Sequence, residues 1–125
     1  MKPLVLVVED NPDNRKLVAW VLEDAGYPFV CVNTAEDGLR TLEEAPVGLV
    51  LMDVSLPGMD GKEATRRLRA DPRWQQLPII AVTAHATTGE IEAILASGVS
   101  AQVTKPIEEA ELLRTMESLL AGGVS

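Results

Sequence analysis

The chain has 125 residues, 46% of them hydrophobic, and a formal net charge of -8 from 11 Lys+Arg against 19 Asp+Glu. That length sets an expectation of one domain, residues 1–125, and the apolar content is too high for a disordered chain. The acidic balance argues against broad nucleic-acid binding. No apolar run approaches the roughly 18 residues that span a bilayer, which argues against membrane insertion. No signal peptide is evident at the N-terminus. The single cysteine, Cys31, cannot form an internal disulfide and reads as a small buried hydrophobe in a strand. The expected compartment is therefore the reducing cytoplasm.

Short apolar runs alternate with amphipathic stretches, the pattern of βαβ units around a parallel sheet. The first strand is predicted over Leu4 to Val8. A helix follows from Asp13 to Ala25, with Leu17, Val18, Val21, Leu22 and Ala25 as its apolar stripe. Gly26 stands where a left-handed cap belongs. A second strand covers Phe29 to Val32. Thr34-Ala35-Glu36-Asp37 resembles a capping box and opens a helix to Glu44. Pro46 and Gly48 break the chain before a third strand, Leu49 to Met52.

A turn-rich loop, Leu56 to Gly61, leads to a helix over Lys62 to Ala70, which Asp71-Pro72 ends. Arg66, Arg67 and Arg69 on that helix read as a solvated face. The fourth strand is Ile79 to Val82. Cap chemistry at Thr87-Thr88-Gly89-Glu90 precedes a helix striped by Ile91, Ile94 and Leu95, and Gly98 ends it. A short strand, Ala101 to Val103, precedes a last helix, Glu108 to Leu120. Leu112, Leu113, Met116, Leu119 and Leu120 form its apolar face. Residues 121–125 read as a frayed end.

Glu9 and Asp10 follow the first strand, Asp53 the third, Thr83 the fourth, and Lys105 the fifth. In open parallel sheets ligands bind outside the carboxyl ends of the strands, near the switch in strand order. With the order 2-1-3-4-5, strands 1 and 3 are neighbours and the three acids converge. Carboxylates about 4 Å apart repel by roughly 4 kcal/mol at an effective dielectric near 20, and a hard cation such as Mg2+ relieves that. An ionised Asp can attack phosphorus to give an acyl phosphate when a cation screens its charge. The Thr83 hydroxyl and the Lys105 ammonium can take the remaining phosphoryl oxygens. From the dipeptide alone, the Lys105-Pro106 bond is expected trans.

Four segments carry a family resemblance: Val7-Val8-Glu9-Asp10-Asn11, Leu51 through Gly61, Val82-Thr83-Ala84 and Thr104-Lys105-Pro106. In that order and spacing the chain resembles the receiver domain of two-component response regulators over essentially its full length. It looks like a stand-alone, chemotaxis-regulator-like receiver, and a receiver cut from a hybrid kinase would look the same. The resemblance implies a flavodoxin-like three-layer sandwich with five strands and five helices. It implies that Asp53 is the phosphoacceptor, charged from a phosphohistidine on a sensor histidine kinase or histidine phosphotransfer protein. Asp10, Asp53 and the backbone carbonyl of Ser55 would ligate Mg2+, with Glu9 acting through water. Thr83 and Lys105 would bind phosphoryl oxygens, and Lys105-Pro106 would be cis. Such a domain assists its own phosphorylation and dephosphorylation and is not a conventional turnover enzyme. Its output goes to a downstream protein target through the fourth helix, fifth strand and fifth helix. The apolar residues there permit a phosphorylation-dependent homodimer.

Gln102 departs from the family, which often carries an aromatic ring three residues before the lysine. A coupled threonine–aromatic switch is therefore replaced by an expected movement of the Thr83 loop and backbone. Ser55 and His85 would border the path of attacking water, with His85 either orienting it or standing as an exposed loop residue. Trp20 lies off the first helix's stripe. It is either a docking anchor for a kinase or phosphotransfer bundle or packing against the last helix. Trp74 reads as a loop cover. Three rival readings fit the residues less well. A flavin carrier needs a phosphate loop where acids stand here. A haloacid-dehalogenase-type phosphatase needs a second Asp where Ser55 stands. A pseudo-receiver would bind partners without being phosphorylated.

Overall fold

The computed structural model describes residues 2–56, 58–84 and 87–122. Its elements run β1 (Leu4–Val8), α1 (Pro12–Ala25), β2 (Phe29–Val32), α2 (Ala35–Glu44), β3 (Val47–Asp53), α3 (Gly61–Arg69), β4 (Ile79–Thr83), α4 (Thr88–Ala96), β5 (Ala101–Thr104) and α5 (Glu109–Gly122). The five strands pair in parallel in the order β2-β1-β3-β4-β5. This is the flavodoxin-like arrangement expected from the sequence.

Strand alternation sends successive side chains to opposite faces, and both faces are covered. Val5 and Val7 of β1, Leu49 and Leu51 of β3, and Ile80 and Val82 of β4 pack with Val18, Val21 and Leu22 of α1 and Leu112 and Met116 of α5. Leu6, Val8, Val50, Met52 and Ile79 face the other way, toward Ala35 and Leu42 of α2 and Ala64 and Leu68 of α3. A thinner cluster of Val54, Ala81 and Ile94 holds α4. Ile94 is the one residue of that helix fully buried among the described residues.

Local chemistry sets the helix ends. Asn11 caps α1, its side-chain oxygen accepting from the amides of Asp13 and Asn14 at 2.9 and 3.2 Å. The helix therefore starts one residue earlier than predicted, with Pro12 in its first turn. Gly26 is left-handed at φ 82°. The capping box at Thr34 is half made: Thr34 accepts from the Asp37 amide, but the Asp37 carboxylate pairs with Arg40 at 2.8 Å instead.

Several expectations need correction. Gly48 does not break the chain; it lies inside β3, where a Cβ would come within 2.5 Å of the Pro3 ring. A 3-10 turn, Pro72–Trp74, was not anticipated; Asp71 caps it by accepting from the Arg73 amide. Leu17 and Leu95 leave their predicted stripes and stand exposed, 37% and 50% respectively. Arg66 and Arg67 do pair with Glu63 on a solvated face, but Arg69 does not. Its guanidinium donates to the Gly98 and Trp74 carbonyls and to Ser100 Oγ, tying α3 to the turn after α4. Cys31 is a free thiol, half-buried in edge strand β2 rather than fully enclosed. Ala121 and Gly122 belong to α5, and the rest of the predicted frayed end lies outside the described residues. Trp74 does cover the α2–α3 core, with the Arg73 guanidinium 4.1 Å above its ring. No helix among the described residues is long and apolar enough to cross a membrane.

The loop from β3 to α3 closes tightly at Gly61, where a Cβ would lie 2.4 Å from the Asp53 carbonyl oxygen and 3.0 Å from Val54 Cα. Backbone, not a flexible side-chain end, would have to yield. Gly61→Ala is expected to lower stability by about 1–3 kcal/mol, the usual cost of overpacking. Urea denaturation measures this, and an unmoved midpoint would contradict the tight closure.

Candidate functional site

Four parallel strands deliver their ends to one edge of the sheet. The register pairs Val8 of β1 with Met52 of β3, so Glu9 and Asp53 emerge side by side. Glu9, Asp53 and Thr83 are almost wholly buried, with 3%, 2% and 0% exposure, while Asp10 is exposed. One carboxylate oxygen from each of Glu9, Asp10 and Asp53 lies within 4.8 Å of the others. Sequence spacing placed these three acids together, and so does the structure.

Lys105 supplies the countercharge. Its Nζ is 3.2 Å from Asp53 Oδ2 and 3.3 Å from Glu9 Oε1. The lysine is aimed by the β5 end: its own amide donates to the Thr83 carbonyl at 2.7 Å, and the Lys105-Pro106 bond is cis. The trans geometry expected from the dipeptide alone is thus corrected, in favour of the isomer that the resemblance implies. The other Asp53 oxygen, Oδ1, accepts from the Ser55 amide at 2.9 Å. Asp53 is therefore held by both of its oxygens.

Burial dominates the protonation of Glu9, raising its carboxyl to about 7, and a hydrogen bond shared with Asp53 adds to this. The Asn11 amide, 3.2 Å from Glu9 Oε2, works in the opposite direction. Burial of Lys105 opposes its charge, but the Asp53 and Glu9 carboxylates outweigh that and hold the ammonium above the ordinary lysine value. Three carboxylates stand here beside one ammonium, a surplus of negative charge. An all-oxygen donor set with surplus negative charge fits a hard divalent cation better than a soft one.

Two contributors were missed at the sequence level. Arg15 Nη1 donates to the Glu9 carbonyl at 2.9 Å and to the Asp10 carbonyl at 3.1 Å. Asn11 both caps α1 and donates its amide to Glu9. The Asn-Pro pair after the acids could have flagged the cap; nothing in the sequence flagged Arg15. Among the other candidates, Ser55 presents an exposed side chain beside Asp53. His85 lies outside the described residues. Trp20 is 55% exposed on α1. Gln102, in register with Ala81, has its Oε1 buried with no hydrogen-bond partner among the described residues. A cleft of about 400 Å3 opens at the opposite edge of the sheet, near Arg69, Pro78 and Ser100, away from the acids.

The site can be set beside known proteins. Residues 5–117 match the response regulator receiver domain. The chain is 40% identical over 120 residues to the sensor histidine kinase GacS of Pseudomonas protegens, covering 91% of this chain but only 13% of that protein. It is 36% identical to the polar-differentiation response regulator DivK of Brucella ovis, covering 96% of this chain and 98% of DivK. Among solved structures, the receiver domain of the sensor histidine kinase PA1611 from Pseudomonas aeruginosa superimposes with a TM-score of 0.89 at 35% identity. The match covers 97% of this chain and 99% of that one, and that crystal structure holds a magnesium ion in its active-site cleft. Fold, acid cluster and sequence similarity agree: this chain belongs to the response regulator receiver domain family.

Proposed function

We propose that the chain is the phosphoacceptor of a two-component phosphorelay in the cytoplasm, with Asp53 as the residue phosphorylated. The observation that carries this reading is Asp53 itself: a buried carboxylate held between the Ser55 amide and the Lys105 ammonium, beside two further acids. An Asp53 oxygen attacks the phosphorus of a phosphohistidine. The P–O bond forms as the P–N bond breaks, and the imidazole leaves with its bonding pair and takes up a proton. Lys105 passes from the carboxylate to a phosphoryl oxygen, and the Thr83 hydroxyl takes another. Glu9, Asp10, Asp53 and the Ser55 carbonyl would hold Mg2+, which when bound neutralises charge between nucleophile and phosphoryl group. The donor is a sensor histidine kinase or a histidine phosphotransfer protein, in keeping with the likeness to GacS and PA1611. The domain assists one transfer and its reversal by hydrolysis; it is not a conventional turnover enzyme.

Output follows from the Thr83 end of β4. The helix beyond that loop, α4, has one fully buried residue, Ile94, and so is the helix least anchored to the sheet. Movement of the Thr83 loop reshapes the α4–β5–α5 surface that a downstream protein reads. With Gln102 in place of an aromatic ring, no ring swing accompanies it. Leu95, exposed on α4, offers an apolar point for that partner or for a second copy of the phosphorylated chain.

Intact mass after incubation with acetyl phosphate tests the central step. Wild type is expected to gain one phosphoryl group only when Mg2+ is present, and Asp53→Asn to gain none. No gain under any condition would favour a pseudo-receiver that binds partners constitutively. Thermal or urea unfolding tests the ion separately: Mg2+ at a hundred times its dissociation constant should stabilise wild type by about 2.7 kcal/mol. Asp10→Ala at the same concentration should lose most of that gain.

Trp20 projects from α1 about 12 Å along the helix from Pro12, at 1.5 Å per residue. We infer that it anchors the phosphohistidine-bearing helix bundle. Trp20→Ala is expected to slow transfer from the kinase about tenfold, in the range of an interface anchor, while leaving the acetyl phosphate reaction unchanged. Equal slowing of both reactions would place Trp20 in the fold rather than the interface.

A further inference from the structure

Two consecutive residues, Glu9 and Asp10, both bring a carboxylate oxygen into one cluster with Asp53. An extended strand cannot do this, because neighbouring side chains point to opposite faces. The chain must therefore leave the strand conformation at this point. β1 does end at Val8. The Glu9 amide still reaches the Val32 carbonyl of β2 at 3.1 Å, but the Glu9 and Asp10 carbonyls turn aside together. Both are met by one nitrogen, Nη1 of Arg15, at 2.9 and 3.1 Å. The Arg15 backbone is fixed, since its amide donates to the Asn11 carbonyl at 3.0 Å and closes the first turn of α1.

We propose that Arg15 is a positioning residue for the metal site: by clamping two successive carbonyls it holds the backbone in the turn that aims both the Glu9 and the Asp10 carboxylates at Asp53. This rests on the divalent-cation reading of the acid cluster and extends it to a residue that touches none of the three carboxylates. Without the clamp the two carbonyls lose a charged donor and the residue pair is free to relax toward alternation. Outer-shell partners of this kind typically alter metal affinity 10–100-fold. Lysine would keep a charge near the carbonyls but not the planar guanidinium that sets the direction of the two Nη1 hydrogens.

The test uses Mn2+ as probe, with free ion counted by electron paramagnetic resonance, on wild type, Arg15→Ala, Arg15→Lys and Arg15→Gln. Arg15→Ala is expected to weaken Mn2+ binding tenfold or more, and Arg15→Lys to fall between it and wild type. Amide hydrogen exchange of the metal-free proteins is the second readout. Exchange at Glu9, Asp10 and Asn11 should speed at least fivefold in Arg15→Ala, with the later turns of α1 unchanged. Wild-type affinity in folded Arg15→Ala would overturn the proposal. So would faster exchange spread evenly along α1, which marks a merely structural role. If Arg15→Ala does not fold, Arg15→Gln and Arg15→Lys carry the same comparison, and unchanged affinity in both would overturn it. If wild type takes up no Mn2+, the cation reading fails, and the exchange pattern still decides whether Arg15 holds this turn.

Discussion

Like charges crowded at the carboxyl edge of the sheet are the constraint on which the rest depends. Three carboxylates approach one another around a single ammonium, that of Lys105, which lies against two of them. Two such acids about 4 Å apart repel by roughly 4 kcal/mol even at an effective dielectric near 20. Burial and a hydrogen bond shared with Asp53 raise the Glu9 carboxyl to about 7, which eases the repulsion, and Asp53 is bound by the Ser55 amide as well as by Lys105.

Such crowding needs a stiff support, and the sheet provides it. The strands that end at the site are β1, β3, β4 and β5, and their core positions are dominated by Val, Ile and Leu buried against helices on both faces. Repulsion at the edge would have to shear this packed frame to relieve itself, and dense cores resist that. The edge strand β2, whose four residues are all only half-buried, contributes no site residue. Of the site residues, Glu9, Asp10, Asp53 and Thr83 thus stand on or directly after the three central strands, while Lys105 follows the other edge strand, β5.

The fold was legible because its signals are repeated: continuous apolar runs for buried parallel strands, separated by amphipathic stretches. The acids and the lysine were legible because each falls at the end of such a run. What escaped notice depends on contacts between distant or irregular segments. Gly48 reads as a breaker until Pro3 is seen pressed against it. Arg69 looks like its neighbours Arg66 and Arg67 until the turn at Gly98 arrives beside it. Arg15 reads as an ordinary helix-surface charge, because carbonyl oxygens leave no mark on the sequence. Leu17 and Leu95 fit their helical periods, yet the helices are rotated so that neither is covered.

The thin attachment of α4 has a consequence for how readily that helix shifts. Full burial of a side chain such as Ile94 contributes about 1.5–3 kcal/mol, and the Lys62–Glu90 pair, 3.3 Å apart and partly solvated, adds little. A helix with so few buried contacts belongs to the low-stability end of a fold, from which moving elements are drawn. Volume changes at Val54, Ala81 or Ile94 would then alter how firmly α4 is held against the sheet.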